Sequence, residues 1–173
     1  MPVRDGTRGE VKRFLIVFAA VANLVLVDAI VKELAAGCLK GRAAVSVIPG
    51  LLDLAYVENR GCAWGMFQGQ VWPLAVFGLV ALGFLIWKRK AVFSSPLKTL
   101  GAVAEPLLYA GIIGNVIDRF VRGHVVDMFD FHWGVHHFPC FNIADSCICV
   151  AVGLLLISSF FTKPLDFRRQ KSV

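Results

Sequence analysis

Several motifs that would announce a familiar chemistry are missing from this 173-residue chain. There is no G-x-S-x-G to hold a serine nucleophile at the top of a sheet. No H-E-x-x-H is present, so the helix-borne zinc-hydrolase arrangement is excluded. Zinc-finger spacing, basic-region heptads and RNP-type aromatic motifs are absent as well, which argues against a nucleic-acid partner despite a net charge of +6. The five cysteines form no C-x-x-C, so a thioredoxin-like redox site is excluded too.

What the chain has in quantity is apolar surface. Hydrophobic residues make up 57 % of it and the mean hydropathy is +0.70, too apolar for a water-soluble globule of this length. Four runs are long enough to cross or nearly cross a bilayer, at about 14–34, 71–88, 97–119 and 142–162. The expected fold is therefore a membrane all-α protein. It is a single integral domain, a four-helix bundle with a small antiparallel β-sheet outside the membrane.

Between the first two runs, residues 37–70 are punctuated by glycine and carry two strand-like stretches, 43–48 and 52–57. These predict a β insert over about 43–68, with Glu58 to Gly61 as a turn. Leu51, Leu52, Leu54, Trp64, Met66 and Phe67 give it a face able to dip into the membrane interface. Residues 1–13 read as a mobile basic leader, 91–97 as a short hairpin around Ser94, Ser95 and Pro96, and 120–141 as an outer loop or lid.

Charge orients the bundle. The leader, the 88–98 segment and the tail hold four Lys or Arg each, 12 of the 18, and the intervening segments hold the rest. The positive-inside rule places both termini in the cytoplasm. Asp28, Asn59, Asp118, Asp127 and Asp145, from separate segments, then gather at the outer face. Ionisable groups at membrane depth carry a penalty of roughly 2.5–3.5 kcal/mol each on insertion scales and by default mark a working site.

Each of these residues also has a plainer reading. Asp28 and Lys32 stand at i, i+4 and form either a structural ion pair or one that orients a site. Asn142 reads as an N-cap with Asp145 at N3, a capping box. Asp127 reads as a turn carboxylate, or as the partner of Asp145 in a dyad sharing one proton. Gly111, Asn115 and Asp118 share a helix face, and Asp118, beside Arg119, competes with Asp127 for the second place while suiting support better. Asp127, Asp130, His132, His136 and His137 form a crowded loop open to a zinc reading, and Cys140 near them to a Cys–His reading. Glu105, followed by Pro106, is either a snorkelling or helix-bonding carboxylate or one step of a proton relay in a transporter. Cys147 and Cys149 read as small buried hydrophobes, and a disulfide between two of Cys38, Cys62 and Cys140 is open.

Five blocks in order then resemble one family: DAIVK at 28–32, NRGCAWG at 59–65, GNVIDR at 114–119, GHVVD at 123–127 and FPCFNIADS at 138–146. The chain resembles bacterial lipoprotein signal peptidase (signal peptidase II) across all four runs. That resemblance implies an aspartic endopeptidase of the bacterial inner membrane, its site facing the periplasm, cleaving prolipoproteins just before a diacylglyceryl-modified cysteine. It implies Asp127 and Asp145 as the catalytic pair, with Asp28, Lys32, Asn59, Gly61, Asn115, Asp118, Arg119 and Asn142 in support. It also implies no metal or other cofactor, a monomer in contact with membrane lipid, an outer β-cradle, and inhibition by the cyclic peptide globomycin. Departures are Cys62, Cys140 and Ala110 for the usual small residues, Trp64 for a usual phenylalanine, and Glu105 with Pro106 inside the third helix. The bulkier Trp64 is expected to tighten the substrate groove.

Overall fold

The computed structural model describes residues 4–94 and 97–161. Ser95, Pro96 and the basic tail with Lys163, Arg168, Arg169 and Lys171 lie outside the described residues. The order of elements is α1 (Arg4–Leu39), β1 (Val45–Ile48), β2 (Leu52–Asn59), α2 (Val71–Trp87), α3 (Arg89–Phe93), α4 (Lys98–Arg122), β3 (Val125–Trp133), β4 (His136–His137) and α5 (Ile143–Phe160). Among the described residues α1, α4 and α5 are long and apolar enough to cross a membrane, and α2 is a shorter apolar helix of 17 residues.

Helix α1 corrects the leader reading. It is helical from Arg4, not from residue 14, and runs on to Leu39. At 1.5 Å per residue its 36 residues span about 54 Å, well beyond a hydrocarbon core of roughly 30 Å. Both overhangs are held by tertiary partners. Near the N-terminal end Arg13 pairs with Glu105 of α4 at 2.7 Å. At the other end Ala35 and Leu39 pack against Val126 and Met128 of β3. The leader's polar composition hid a helix whose stability comes from these contacts.

Helix α4 is the central post. Its apolar face and α5 close on Phe93, Ala104, Leu108, Tyr109 and Ala151. The small residues expected to permit close approach do so: a Cβ on Gly111 would run into the Ala144 carbonyl of α5. Glu105 is fully buried, its oxygens taken by Arg13 of α1 and Arg89 of α3, so it bonds neighbouring helices and does not snorkel. The segment expected as a hairpin at 91–97 is instead preceded by, and partly contained in, the short helix α3 that carries Arg89.

The sheet is larger than expected and differently built. Its strands run in the order β1-β2-β3-β4, all antiparallel. The β1–β2 hairpin turns at Gly50, whose φ of 76° suits glycine. Glu58 and Asn59 belong to β2 rather than to a turn, and residues 63–65 form a single 3-10 turn. The supposed outer loop contains β3, which pairs with β2 from Leu52↔Phe131 to Asn59↔Val125 around a bulge between Leu54 and Val57. Helix α4 reaches Arg122 and ends on Gly123 in the left-handed region, so the chain turns straight into that strand. Pairing across 66 to 79 positions leaves no local trace, and the first half of β3, Val125 to Met128, is buried on both faces, which blurred its alternation.

All five cysteines are free. Cys147 is buried as expected, but Cys149 is exposed, because two helical steps of about 100° turn it to the opposite side.

Candidate functional site

The site forms where β3, the end of β2, α1, α4 and the start of α5 meet. Asn142 caps α5: its side-chain oxygen accepts the Asp145 N–H at 2.9 Å, and Asp145 Oδ2 accepts the Asn142 N–H at 3.3 Å. That is the capping box read from the sequence. The cap does more than end a helix. The Asn142 side-chain amide also donates to Asp127 Oδ1 at 2.7 Å. One residue therefore holds both carboxylates, Asp145 through its backbone and Asp127 through its side chain.

The other oxygens are held as well. Asn59 Nδ2 donates to Asp127 Oδ2 at 2.9 Å, a contact that follows from the β2–β3 register. Asn115 Nδ2 donates to Asp145 Oδ1 at 2.7 Å. Asn59 is fixed in turn by the Gly61 N–H, which donates to its side-chain oxygen at 2.9 Å, and Arg119 Nη2 donates to the Gly61 carbonyl at 2.9 Å. Arg119 also reaches the Asn115 carbonyl at 3.2 Å.

Behind the pair lies a buried ionic layer. Lys32 Nζ meets Asp28 Oδ2 at 2.7 Å and Asp118 Oδ2 at 2.9 Å, and donates to Asn115 Oδ1 at 3.3 Å. Asp28 accepts the Ala144 N–H at 2.9 Å, and Asp118 accepts the Val126 N–H at 3.2 Å. So the two carboxylates of this layer anchor the segments that carry Asp145 and Asp127. Gly114 lets Asp28 in: a Cβ there would stand 2.7 Å from Asp28 Oδ2 and 3.2 Å from the Ala144 side chain. Gly114→Ala is expected to lose about 1–3 kcal/mol by overpacking and to weaken activity with it. Thermal unfolding in detergent measures this, and a midpoint equal to that of the parent would show that Asp28 moves aside freely.

Asp127 is 1 % exposed. Burial, then the nearby Asp145 charge, pushes its carboxyl up to about 7, against the pull of the Asn59 and Asn142 amides and of Lys32. Asp145 is half-buried in the first turn of α5, at the positive end of the helix dipole. The two environments are thus unequal, as an acid–base division of labour requires.

All ten residues singled out from the sequence enter this one network. The rivals do not. Asp130 lies three positions from Asp127 in β3, hence on the other face of the strand, and bonds His137 at 2.8 Å. His132 stacks on His137 with ring centroids 5.0 Å apart. Among the described residues no three His, Cys, Asp or Glu side chains are placed to hold a metal ion. Burial, with Asp127 and Asp130 adding to it, pushes the Cys140 thiol up to about 12, away from a ready thiolate. Missed in the sequence were the backbone groups of Val126 and Ala144, and Arg122, which bonds Asp118 at 3.0 Å and Glu33 at 2.7 Å. Its i, i+4 spacing from Asp118 was the available signal.

Aromatic rings wall one side. Phe141 packs on Phe129, Phe131 and Phe138 at 5.6, 5.8 and 5.9 Å, and Phe138 meets Trp64 edge-on at 5.8 Å. Trp64 is 71 % exposed and has a left-handed backbone, φ 56°.

The model of the signal peptidase (SPase) II family matches residues 20–161. The chain belongs to the signal peptidase II family. It is 39 % identical over 154 residues to the lipoprotein signal peptidase of Syntrophotalea carbinolica, covering 87 % of this chain and 94 % of that one. To the lipoprotein signal peptidase of Symbiobacterium thermophilum it is 41 % identical over 143 residues, covering 82 % and 91 %. A bacterial membrane enzyme solved by the in meso method at 2.3 Å superposes with a TM-score of 0.69 at 30 % identity, over 91 % of this chain and 94 % of the other. Membership in signal peptidase II makes the chain a membrane aspartic peptidase.

Proposed function

We propose that this signal peptidase II removes signal peptides from diacylglyceryl-modified prolipoproteins, cutting before the lipidated cysteine, with Asp127 and Asp145 as its catalytic pair. One observation carries the assignment of the pair: Asn142 bonds both carboxylates at once, at 2.7 Å and 3.3 Å. In this reading Asp145 carries the charge and Asp127 the proton. Asp145 takes a proton from water as the water oxygen attacks the scissile carbonyl. Asp127 gives its proton to the carbonyl oxygen, forming a gem-diol. Collapse returns a hydroxyl proton to Asp127, and Asp145 passes its own to the departing nitrogen. No covalent enzyme intermediate forms.

The bundle orients the reaction. We read α2 as a fourth span and both termini as cytoplasmic, from the distribution of basic residues. The pair then faces the periplasm from the inner membrane. The exposed Trp64, Phe67 and Trp133 suit the interface above it. The signal helix would lie along the bundle with the lipid toward the bilayer, a single copy sufficing. Globomycin would compete for the same groove.

Incubating the purified protein with a diacylglyceryl prolipoprotein and its unlipidated twin tests the substrate. Cleavage of the lipidated form alone is expected. Equal cleavage of both would remove the lipid from recognition, and no cleavage of either would remove the activity.

The pH profile tests the assignment of acid and base. With Asp127 at about 7, kcat/KM is expected to fall above neutral pH as that proton is lost. The Asn59 amide pulls the carboxyl down, so Asn59→Ala is expected to move the alkaline limb to higher pH while lowering the rate. A limb that stays in place or moves down would assign the proton elsewhere.

A further inference from the structure

At the end of the bundle remote from the aspartates, α1, α3, the start of α4 and the last turns of α5 enclose an open groove of about 1230 Å³. It lies about 22 Å from Asp28 along α1, by helical rise from Arg13. Its walls are mostly apolar, including Ile16, Val17 and Leu155, with Ser94, Ser158 and Ser159 among them, and its charged lining is Lys12 and Arg13, with no acidic side chain among the described residues that line it.

The rim is built. Arg13 is held by the fully buried Glu105, which Arg89 also engages. A guanidinium has five N–H donors, so a pair with one carboxylate leaves donors to spare and fixes where they sit. The neighbouring acid, Glu10, is matched by Lys90 at 3.3 Å. Lys12, Arg13 and Arg89 against Glu105 leave an excess of positive charge beside an apolar trough. Phosphate and hydrocarbon, joined in one molecule, match that pairing, and basic pockets between membrane helices favour anionic headgroups.

We propose that this groove holds an anionic phospholipid, its phosphate against Lys12 and Arg13 and an acyl chain along Ile16, Val17 and Leu155. A zwitterionic headgroup would bring its own cation beside Lys12, and an anionic one does not. Only the leaflet, the cytoplasmic one, rests on the orientation proposed above.

The test uses the full purified chain in detergent, offered phosphatidylglycerol or phosphatidylcholine, with retained lipid read by native mass spectrometry and the thermal midpoint alongside. Phosphatidylglycerol is expected to be retained and to raise the midpoint, and phosphatidylcholine to do neither. Lys12→Gln is expected to weaken retention about fivefold, the effect of one basic residue near an anionic surface. Ala91→Trp, which sets a large ring in the groove without changing charge, is expected to weaken retention as well. Lys40→Gln, at the other end, should retain the lipid as the parent does. Equal retention of phosphatidylcholine, unchanged retention in either groove variant, or full displacement by inorganic phosphate alone would each overturn the proposal. None of these readouts uses peptide cleavage, so they stand or fall apart from the peptidase reading.

Discussion

Asp127→Asn and Asp145→Asn are each expected to lower cleavage of a lipidated substrate by at least roughly 10²–10⁴-fold, the usual contribution of a positioned acid or base. The amide keeps the size of the carboxyl and removes its proton chemistry. At position 145 the variant retains one oxygen for either Asn115 or the Asn142 N–H, which donate to the two carboxylate oxygens now. The structural loss should therefore resemble that of a weakened helix cap, about 1 kcal/mol. At position 127 one of the two amide donors, Asn59 or Asn142, meets an NH₂ group instead of an oxygen. The parent's thermal midpoint should be nearly kept in both. A folded variant cleaving within about tenfold of the parent would take that residue out of the proposed pair, since general acid–base catalysis is worth more than that. A variant that unfolds instead would make the residue structural.

Lys32→Met should have the largest effect on stability. Lys32 is fully buried, and its three donors have three acceptors: Asp28, Asp118 and Asn115. Methionine fills much of the same volume but leaves buried Asp28 without its cation and Asp118 with Arg122 alone. Breaking a buried pair this way destabilises by about 3–5 kcal/mol. The loss should spread to the site, because Asp28 holds the Ala144 N–H and Asp118 the Val126 N–H. Thermal unfolding in detergent measures it. Adding Asp28→Asn and Asp118→Asn to Lys32→Met should restore part of the loss, a non-additive result that independent sites would not give. A Lys32→Met protein within about 0.5 kcal/mol of the parent, the range of ordinary surface substitutions, would show that the layer is not a unit.

The network explains why a short chain can hold two carboxylates close together. Asp145 is placed by its own helix cap. Asp127 is placed by a strand whose register depends on β2. Asn142 belongs to both arrangements, so cap and sheet cannot shift independently.

How much of this was legible varied with the range of the interaction. The apolar runs predicted α2 at 71–88 and α4 at 97–119 within a few residues of Val71–Trp87 and Lys98–Arg122. The capping box at Asn142 and Asp145 and the Asp28–Lys32 pair were legible because each spans a single helical turn. Strand β3 was not, because its partner lies far back in the chain and its first four residues face packing on both sides. The helical overhang of α1 was missed for a similar reason, since Glu105, Val126 and Met128 hold its ends from other segments.

By itself the sequence determined a membrane protein, the position of most of its apolar helices and the family, because hydrophobic length, helix caps and ordered motif blocks are properties of neighbouring letters. Only the tertiary structure decided which carboxylate faces which. The β2–β3 register brings Asn59 to Asp127, the approach of α5 to Gly111 and Gly114 sets Asp145 beside it, and buried Lys32 neutralises the layer beneath. Those are contacts between segments distant in the chain, whose energies exist only once the apolar surfaces have already met.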